Sequence, residues 1–282
     1  MSEPNLILNL DYKKSYANPL FQNALKCWKM GNDYFTNELD NKDYDKYFTT
    51  IFTLIDELLV LRYEIMLKAE YSRSIQISVI RKLTRSNLVM PENLLRGGKM
   101  ILVTGPQITN DPQIQEEIKN AKTYHTSLNS SLKGFFFISR SLLDNLIPII
   151  KIMYRKQSGQ IPSSFFELSS CHALPFKLRK KIRKFEEKFE QLRNFRDALA
   201  HKGILVETYF DDDGARFILV NSEEFKLPPK EKEKLTRKSS QMIDYLDKHL
   251  ELIDRTIITI FGYGVVLPGL KKGNVSFETR KK

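Results

Sequence analysis

The sequence has few cysteines and lacks the glycine-rich patterns of nucleotide-binding proteins. Its 282 residues include two cysteines, Cys27 and Cys171, which lie far apart and form no metal-ligand pattern. This content disfavours a disulfide scaffold and favours a reducing cytoplasm. Cys171 precedes His172, but adjacent residues do not fit zinc spacing, and a catalytic Cys–His pair is normally assembled from separate elements. We therefore expect no metal and no cofactor.

The sequence pattern also predicts neither a membrane-spanning segment nor a secretion signal. The most apolar stretch, residues 135–154, contains Arg140, Asp144 and Lys151. A bilayer span does not carry three charges in its middle, so this stretch is expected to be a core helix. Residues 1–11 lack the basic start and the long apolar core of a signal peptide. We expect a cytoplasmic protein without a membrane partner.

Basic residues are in excess over acidic ones. The chain contains 45 Lys and Arg against 34 Asp and Glu, which gives a net charge of +11 and a pI near 9.4. Such an excess favours a polyanionic partner, namely RNA, DNA or an acidic surface. Six basic residues crowd one short segment: Lys177, Arg179, Lys180, Lys181, Arg183 and Lys184. They form either a phosphate-backbone track leading toward the motif described below, or a solvated helix face balanced by Glu186, Glu187 and Glu190.

Helical periodicity dominates the sequence. Apolar residues recur at three- and four-residue steps, and they predict helices over five segments: residues 19–35, 43–84, 111–133, 134–156 and 174–201. A β-hairpin is predicted from strands at 204–210 and 216–220. Pro228 is expected to open a last helix that runs to Phe261. The predicted fold class is therefore mostly α: a helical bundle with a β-hairpin inserted before the last helix.

Composition divides the chain into three parts. Several glycines and prolines lie between residues 87 and 110, which indicates a connection, with a short strand predicted at 100–104. We place a domain boundary after residue 105. The expected domains are an N-terminal helical extension (1–105), a helical domain (106–270) and a basic flexible tail (271–282).

The helix predicted at 174–201 has an apolar side and a polar side. Seven apolar residues form one stripe that is expected to pack against a core: Leu178, Ile182, Phe185, Phe189, Leu192, Phe195 and Leu199. At about 100° per residue, Asp197 lies about 40° and Asn194 about 20° from His201, so these three share one face. This face points away from Leu199, so His201 is not expected to fill the core. Arg196 lies at the edge of the stripe, where an arginine requires a partner.

Arg196, Asp197 and His201 together have the chemistry for cleaving RNA without a metal. Histidine accepts or donates a proton near neutral pH. A carboxylate one turn earlier orients the imidazole, and a guanidinium binds a phosphate and the charge that develops on it. The 2′-hydroxyl of RNA is the nucleophile. Transesterification then yields a 2′,3′-cyclic phosphate, or its 3′-phosphate hydrolysis product, and a 5′-hydroxyl.

The six residues Arg196-Asp197-Ala198-Leu199-Ala200-His201 resemble the motif of the HEPN (higher eukaryote and prokaryote nucleotide-binding) superfamily. That motif is an arginine, a polar residue, three variable positions and a histidine. The resemblance covers roughly residues 111–261. It implies a four-helix core and a metal-independent endoribonuclease that serves as a toxin or an anti-phage defence effector. It also implies a homodimer whose two motif helices face each other, and an antitoxin or a defence-complex protein as partner.

The resemblance also implies a role for each residue of the site. His201 is expected to be the general base or acid, Arg196 the phosphate clamp and Asp197 the residue that orients the imidazole. Asn194 is expected to support them. Asp144, in the helix predicted at 134–156, is expected either to hold Arg196 or to pair with Arg140 four residues earlier in its own helix.

Other interpretations of the same residues stay open. A histidine close to a helix C-terminus often caps carbonyl groups, and an Arg–Asp pair is common on any helix. The chain is then a non-catalytic HEPN-like module that binds nucleic acid or nucleotide or acts as a scaffold, or a helical interaction protein without a nucleic-acid role. His125 and His249 are expected to lie on helix surfaces.

Overall fold

Helices account for most of the structure, a computed structural model that describes residues 17–34, 38–85, 112–201, 205–211, 214–220 and 240–264. The α-helices are α1 (Pro19–Tyr34), α2 (Glu38–Arg85), α3 (Pro112–Met153), α4 (Phe176–His201) and α5 (Met242–Gly264). Two 3₁₀ helices, Arg155–Gln160 and Phe165–Ser170, lie between α3 and α4. Within these described segments, no helix is long and apolar enough to cross a bilayer. The prediction of a mostly α fold is confirmed.

Helix α3 is continuous where the sequence predicts two helices that meet at Gly134. The prediction of a break is wrong because burial continues through the glycine: Leu132, Phe135 and Phe136 are all fully buried. A glycine inside a helix costs about 1 kcal/mol relative to alanine. Burying one phenylalanine side chain contributes about 1.5–3 kcal/mol, so packing outweighs the unfavourable propensity.

The predicted β-hairpin is present. Strand β1 (Leu205–Asp211) pairs antiparallel with β2 (Gly214–Val220), with Thr208 opposite Phe217. A further strand, β3 (Ser240–Gln241), pairs with β2. The single helix predicted from Pro228 to Phe261 is therefore wrong: α5 begins at Met242, because residues 240 and 241 belong to the sheet. Pro228 itself, the strand predicted at 100–104 and the tail 271–282 lie outside the described residues.

Long-range contacts divide the chain into two compact units. Unit 1 contains the described residues of Met1–Val60, Ile138–Glu190 and Lys248–Lys282, and unit 2 those of Leu61–Phe137 and Gln191–Asp247. Both units combine residues from before and after residue 105. That predicted boundary lies outside the described residues, and the division into three domains stays a prediction. Helix α4 contributes its first part to unit 1 and its last part to unit 2.

The core of unit 1 contains aromatic rings from the helices and the imidazole ring of His249. The Phe189 ring centroid lies 6.0 Å from that of Phe165 and 5.2 Å from that of His249. His249 is 6% exposed, so its predicted position on a helix surface is wrong. The reason is helical spacing, because His249 lies between the buried residues Leu246 and Ile253 on the same face of α5. Burial lowers the pKa of His249 from 6.5 to about 3, so its imidazole is neutral.

Candidate functional site

An aromatic cluster in unit 2 fixes the last part of α4. The cluster consists of four residues from four elements: Phe136 of α3, Phe195 of α4, Phe217 of β2 and Tyr245 of α5. The Phe195 ring centroid lies 5.3 Å from Phe136, 5.9 Å from Phe217 and 6.0 Å from Tyr245. Desolvation of the Tyr245 hydroxyl raises its pKa. Since Phe195 is held from three sides, the opposite face of α4 is directed outward.

The apolar stripe predicted on α4 packs inward over most of its length. Leu178, Ile182, Phe189 and Leu192 are buried. Near the end of the helix, Ala198 is buried and Leu199 is half-buried, so the buried side is centred one residue earlier than predicted. His201 and Asn194 are exposed, as their positions on the polar face predict.

Arg196 and Asp197 form an ion pair beside the exposed histidine. The Nη1 group of Arg196 donates a hydrogen bond of 2.9 Å to Oδ1 of Asp197. The other carboxylate oxygen lies 3.8 Å from Nε of Arg193, a residue that the sequence analysis did not select. The four-residue spacing from Arg193 to Asp197 was the available signal for this contact. Within the described part of the chain, no side chain hydrogen-bonds to His201, so the orienting role of Asp197 stays a prediction.

The Arg196–Asp197 pair is accessible to solvent. Their side chains are 36% and 40% exposed, so water and salt screen the attraction between them. Exposed ion pairs of this kind contribute about 0–1 kcal/mol. Because the pair is exposed, the guanidinium of Arg196 is accessible to an incoming phosphate while it stays bonded to Asp197. The pair also supplies the partner that an arginine at the edge of the stripe requires.

Asp144 has a structural role within unit 1. Its Oδ2 atom lies 2.9 Å from Nε of Arg140, and its Oδ1 atom accepts a 2.9 Å hydrogen bond from the backbone N–H of Phe165. Arg140 also donates to Oγ of Ser164 at 2.8 Å. Of the two interpretations of Asp144, the structure contains the pair within its own helix. The carboxylate connects α3 to the 3₁₀ helix that begins at Phe165.

The basic residues at the start of α4 face solvent. Lys177, Lys180, Lys181, Arg183 and Lys184 are exposed, and Arg179 is partly exposed. No carboxylate in the described segments forms an ion pair with four of these residues: Lys177, Lys180, Arg183 and Lys184. Glu186, one of the three glutamates that balance the cations in the alternative of a solvated helix face, accepts a 3.0 Å hydrogen bond from the backbone N–H of Ser169. The four cations are therefore available to an external anion.

The described residues contain no candidate site for a cysteine nucleophile or for a metal ion. The Cys171 thiol is buried, and its Sγ atom lies 3.4 Å from the carbonyl oxygen of Gln160, to which it donates. His172 beside it is exposed. Across the described ranges, no group of three His, Cys, Asp or Glu side chains is arranged to hold a metal ion.

Comparison with known proteins identifies no protein that is similar to this chain. No family model, curated protein or solved structure matches the chain. The resemblance to the HEPN superfamily therefore depends on the motif from Arg196 to His201. The four-helix core that it implies over residues 111–261 does not have the predicted form, because the described residues of that range contain three α-helices, α3, α4 and α5. The function has to be argued from the residues of the site.

Proposed function

We propose that the protein is a metal-independent endoribonuclease of the HEPN type. The observation that carries the proposal is the exposed His201 imidazole at the end of α4, with the solvent-accessible Arg196–Asp197 pair one turn before it. Histidine can transfer the protons of a phosphodiester transesterification, and arginine can stabilise the charge on the phosphate, so the two together suffice without a metal. The exposed cations at the start of α4 add affinity for a phosphate backbone without sequence preference.

The proposed reaction uses the 2′-hydroxyl of the substrate. His201 removes the proton from this hydroxyl, the 2′-oxygen forms a bond to phosphorus, and the bond from phosphorus to the 5′-oxygen breaks. The departing 5′-oxygen takes up a proton from an imidazolium. Arg196 binds the non-bridging oxygens, where negative charge develops, through the N–H groups that its hydrogen bond to Asp197 leaves available. The products are a 2′,3′-cyclic phosphate and a 5′-hydroxyl.

The need for a base and an acid at the same phosphate favours a homodimer. One chain contributes one His201, whereas a single displacement uses one imidazole to accept a proton and an imidazolium to donate one. Two copies with opposed motif faces supply both groups. The exposure of Asn194 and His201 supports such an arrangement, because both side chains face solvent among the described residues. A role as a toxin with an antitoxin, or as an anti-phage effector, follows from the resemblance alone.

A second candidate is a non-catalytic HEPN-like protein that binds nucleic acid or nucleotide or acts as a scaffold. The observation that favours it is that both carboxylate oxygens of Asp197 contact arginines. Oδ1 lies 2.9 Å from Nη1 of Arg196, and Oδ2 lies 3.8 Å from Nε of Arg193. Among the described residues, the contacts of this carboxylate are with arginines and none is with the His201 imidazole. Under this candidate the chain binds RNA and leaves it intact.

Incubation of the purified protein with RNA in EDTA separates the two candidates. Wild type is compared with His201→Ala and Arg196→Ala, and His172→Ala is the matched control, because His172 is also an exposed histidine. We expect wild type and the control to cleave equally and His201→Ala to lose about 100-fold or more of the rate, the usual contribution of a general acid or base. Intact RNA with every variant, together with RNA binding, would establish the second candidate.

A further inference from the structure

The first residue of α4 is an unusually exposed aromatic. The Phe176 side chain is 70% exposed, whereas the other exposed large apolar residues in the described chain, Tyr63, Tyr71 and Phe137, lie between 38% and 45%. A single exposed ring is common on protein surfaces. The surroundings of Phe176 make it notable, because its neighbours on the helix are cations.

Helical geometry places Phe176 on the outward side of α4 together with basic residues. At about 100° per residue, Lys180 lies about 40° and Arg183 about 20° from Phe176 around the helix axis. The buried residue Leu178 lies about 160° away, on the core side. The ring therefore stands within the exposed basic face, opposite the side by which the helix packs.

One face of the Phe176 ring is used by a neighbouring arginine. The guanidinium carbon of Arg179 lies 5.9 Å from the ring centroid, within the range of a cation–π contact. With 70% of the side chain exposed, the ring keeps surface open to solvent. The contact restrains the ring while it stays accessible to a planar ligand.

Charge complementarity identifies the class of ligand. Lys177, Lys180, Arg183 and Lys184 lie in the first part of α4, as Phe176 does, are exposed, and have no carboxylate partner among the described residues. An exposed aromatic ring within unpaired cations is the combination by which proteins bind single-stranded nucleic acid, since bases stack on the ring and phosphates contact the cations. A membrane surface fits less well, because it requires a continuous apolar face and Phe176 is flanked by charges.

We propose that Phe176 stacks on an unpaired base of single-stranded RNA while Lys177, Lys180, Arg183 and Lys184 contact the neighbouring phosphates. The choice of RNA rests on the proposed ribonuclease function, and the inference specifies its substrate class as single-stranded. Paired bases are stacked on each other within a duplex, so a duplex exposes base faces only at its ends and offers none along its length to Phe176. The binding face lies in the first part of α4 and contains no residue of the Arg196–His201 motif.

Fluorescence anisotropy with the full-length protein tests the inference. The probes are labelled 2′-O-methyl oligouridylate, which lacks the nucleophile and stays intact, the same strand as a duplex, and an abasic strand of equal length. Base stacking on one aromatic residue corresponds to about 10-fold in affinity. We expect Phe176→Ala to bind the single strand about 10-fold more weakly and Phe176→Trp to bind like wild type. The exposed aromatic Phe137 provides the control Phe137→Ala, which we expect to leave affinity unchanged.

Three results would overturn the inference. One is that Phe176→Ala, with a melting temperature equal to that of wild type, binds the oligouridylate as tightly as wild type does. Another is that Phe176→Ala weakens binding of the abasic strand as much as binding of oligouridylate, because the abasic strand has no base that could stack on the ring. The third is binding to anionic phosphatidylserine vesicles in the absence of RNA binding, which would assign the face to a membrane.

Failure of this inference can be told apart from failure of the proposed function. If wild type does not cleave RNA in EDTA but Phe176→Ala weakens single-strand binding, the nuclease proposal fails and the stacking site stands. If wild type cleaves RNA and Phe176→Ala binds and cleaves equally well, the nuclease stands and the stacking site is wrong.

Discussion

At the scale of single residues, the central feature of the candidate site is that the two carboxylate oxygens of Asp197 contact two different arginines. One oxygen accepts from Arg196 at 2.9 Å and the other lies 3.8 Å from Arg193. The nearer contact restrains the guanidinium that is proposed to bind the phosphate, and the longer contact is at the limit of an ion pair. Asp197 is therefore a positioning residue for Arg196 in this account, and Arg193 has a minor role.

Replacement of Asp197 by asparagine tests this assignment. We expect Asp197→Asn to lower kcat for RNA cleavage by about 10-fold or more, because a misplaced catalytic group loses much of its effect. Stability should change by less than about 1 kcal/mol, because the ion pair is half exposed. The matched variant Arg193→Gln removes the longer contact and should retain most of the rate. Equal kcat values for Asp197→Asn and wild type would contradict the positioning role.

The buried histidine gives the fold a pH dependence of its own. Burial holds the pKa of His249 at about 3, against 6.5 for the free side chain. The unfolded chain therefore takes up a proton below about pH 6.5 that the folded chain does not, and the stability contributed by neutral His249 is lost as pH falls. At pH 5 this loss amounts to about 2 kcal/mol relative to pH 7.5.

Urea unfolding at pH 7.5 and pH 5 measures this loss. The difference in unfolding free energy between the two pH values should be about 2 kcal/mol smaller for His249→Leu than for wild type, because leucine does not titrate. Other titrating groups are common to both proteins and cancel. The same pH dependence in both proteins would show that His249 titrates normally.

Residue patterns correctly predict that His201 and Asn194 are exposed, but they do not predict that His249 is buried. His201 and Asn194 are exposed because they lie opposite the apolar stripe, which helical spacing alone reveals. His249 was misplaced because histidine is usually found near surfaces, although its spacing from Leu246 and Ile253 put it on the buried face. The contact between Asp144 and the backbone of Phe165 was not predictable, since it depends on how a 3₁₀ helix packs.

At the scale of elements, two glycines within helices have opposite environments. At Gly134 of α3, an added Cβ would lie 3.5 Å from a methyl carbon of Leu61, which is an ordinary contact. At Gly31 of α1, it would overlap the hydroxyl of Tyr44. Tyr44 is fully buried, and its hydroxyl donates a 2.9 Å hydrogen bond to the carbonyl of Cys27, so it has little room to move.

Alanine substitutions at the two glycines should therefore shift stability in opposite directions. Gly134→Ala is expected to stabilise the protein by about 0.5–1 kcal/mol through helix propensity. Gly31→Ala is expected to destabilise it by about 1–3 kcal/mol or more, because it overpacks a buried site. Thermal unfolding of the two variants measures both effects. A loss of stability for Gly134→Ala would mean that the contact between α2 and α3 at Leu61 is closer than described.

Local patterns predicted most elements and failed where tertiary contacts decide. The sequence predicts a break in α3 because glycine has a low helix propensity, whereas the buried residues on both sides of Gly134 keep the helix continuous. The start of α5 was missed because Ser240 and Gln241 pair with Phe217 and Arg216 of β2. A strand of two residues has no periodicity of its own, and pairing with a neighbouring strand determines it.

At the scale of the whole molecule, the chain is a basic helical protein whose contacts join distant segments. Asn23 donates to both oxygens of Asp254 at 3.1 Å in unit 1, and Arg62 makes two 3.0 Å hydrogen bonds to Asp247 in unit 2. The mostly α class follows from periodicity, which is local. The division into two units depends on such long-range pairs, and a local pattern contains no information on them.

The proposed homodimer makes activity dependent on protein concentration. If two copies of His201 act on one phosphate, dilution below the dissociation constant of the dimer separates them, and the rate per chain falls. We expect the specific activity in EDTA to decrease on serial dilution, in parallel with the loss of dimer seen by mass photometry. A constant specific activity for a monomeric protein would contradict the composite site.

The most direct test of the central claim is end-group analysis of cleaved RNA. Wild type and His201→Ala are incubated in EDTA with a single-stranded RNA and with the DNA of the same sequence, and the products are examined by mass spectrometry. The account predicts cleavage of the RNA alone by wild type, with 2′,3′-cyclic phosphate or 3′-phosphate ends and 5′-hydroxyl ends, and intact RNA with His201→Ala. Products with 5′-phosphate ends, cleavage of the DNA, or equal cleavage by His201→Ala would contradict it.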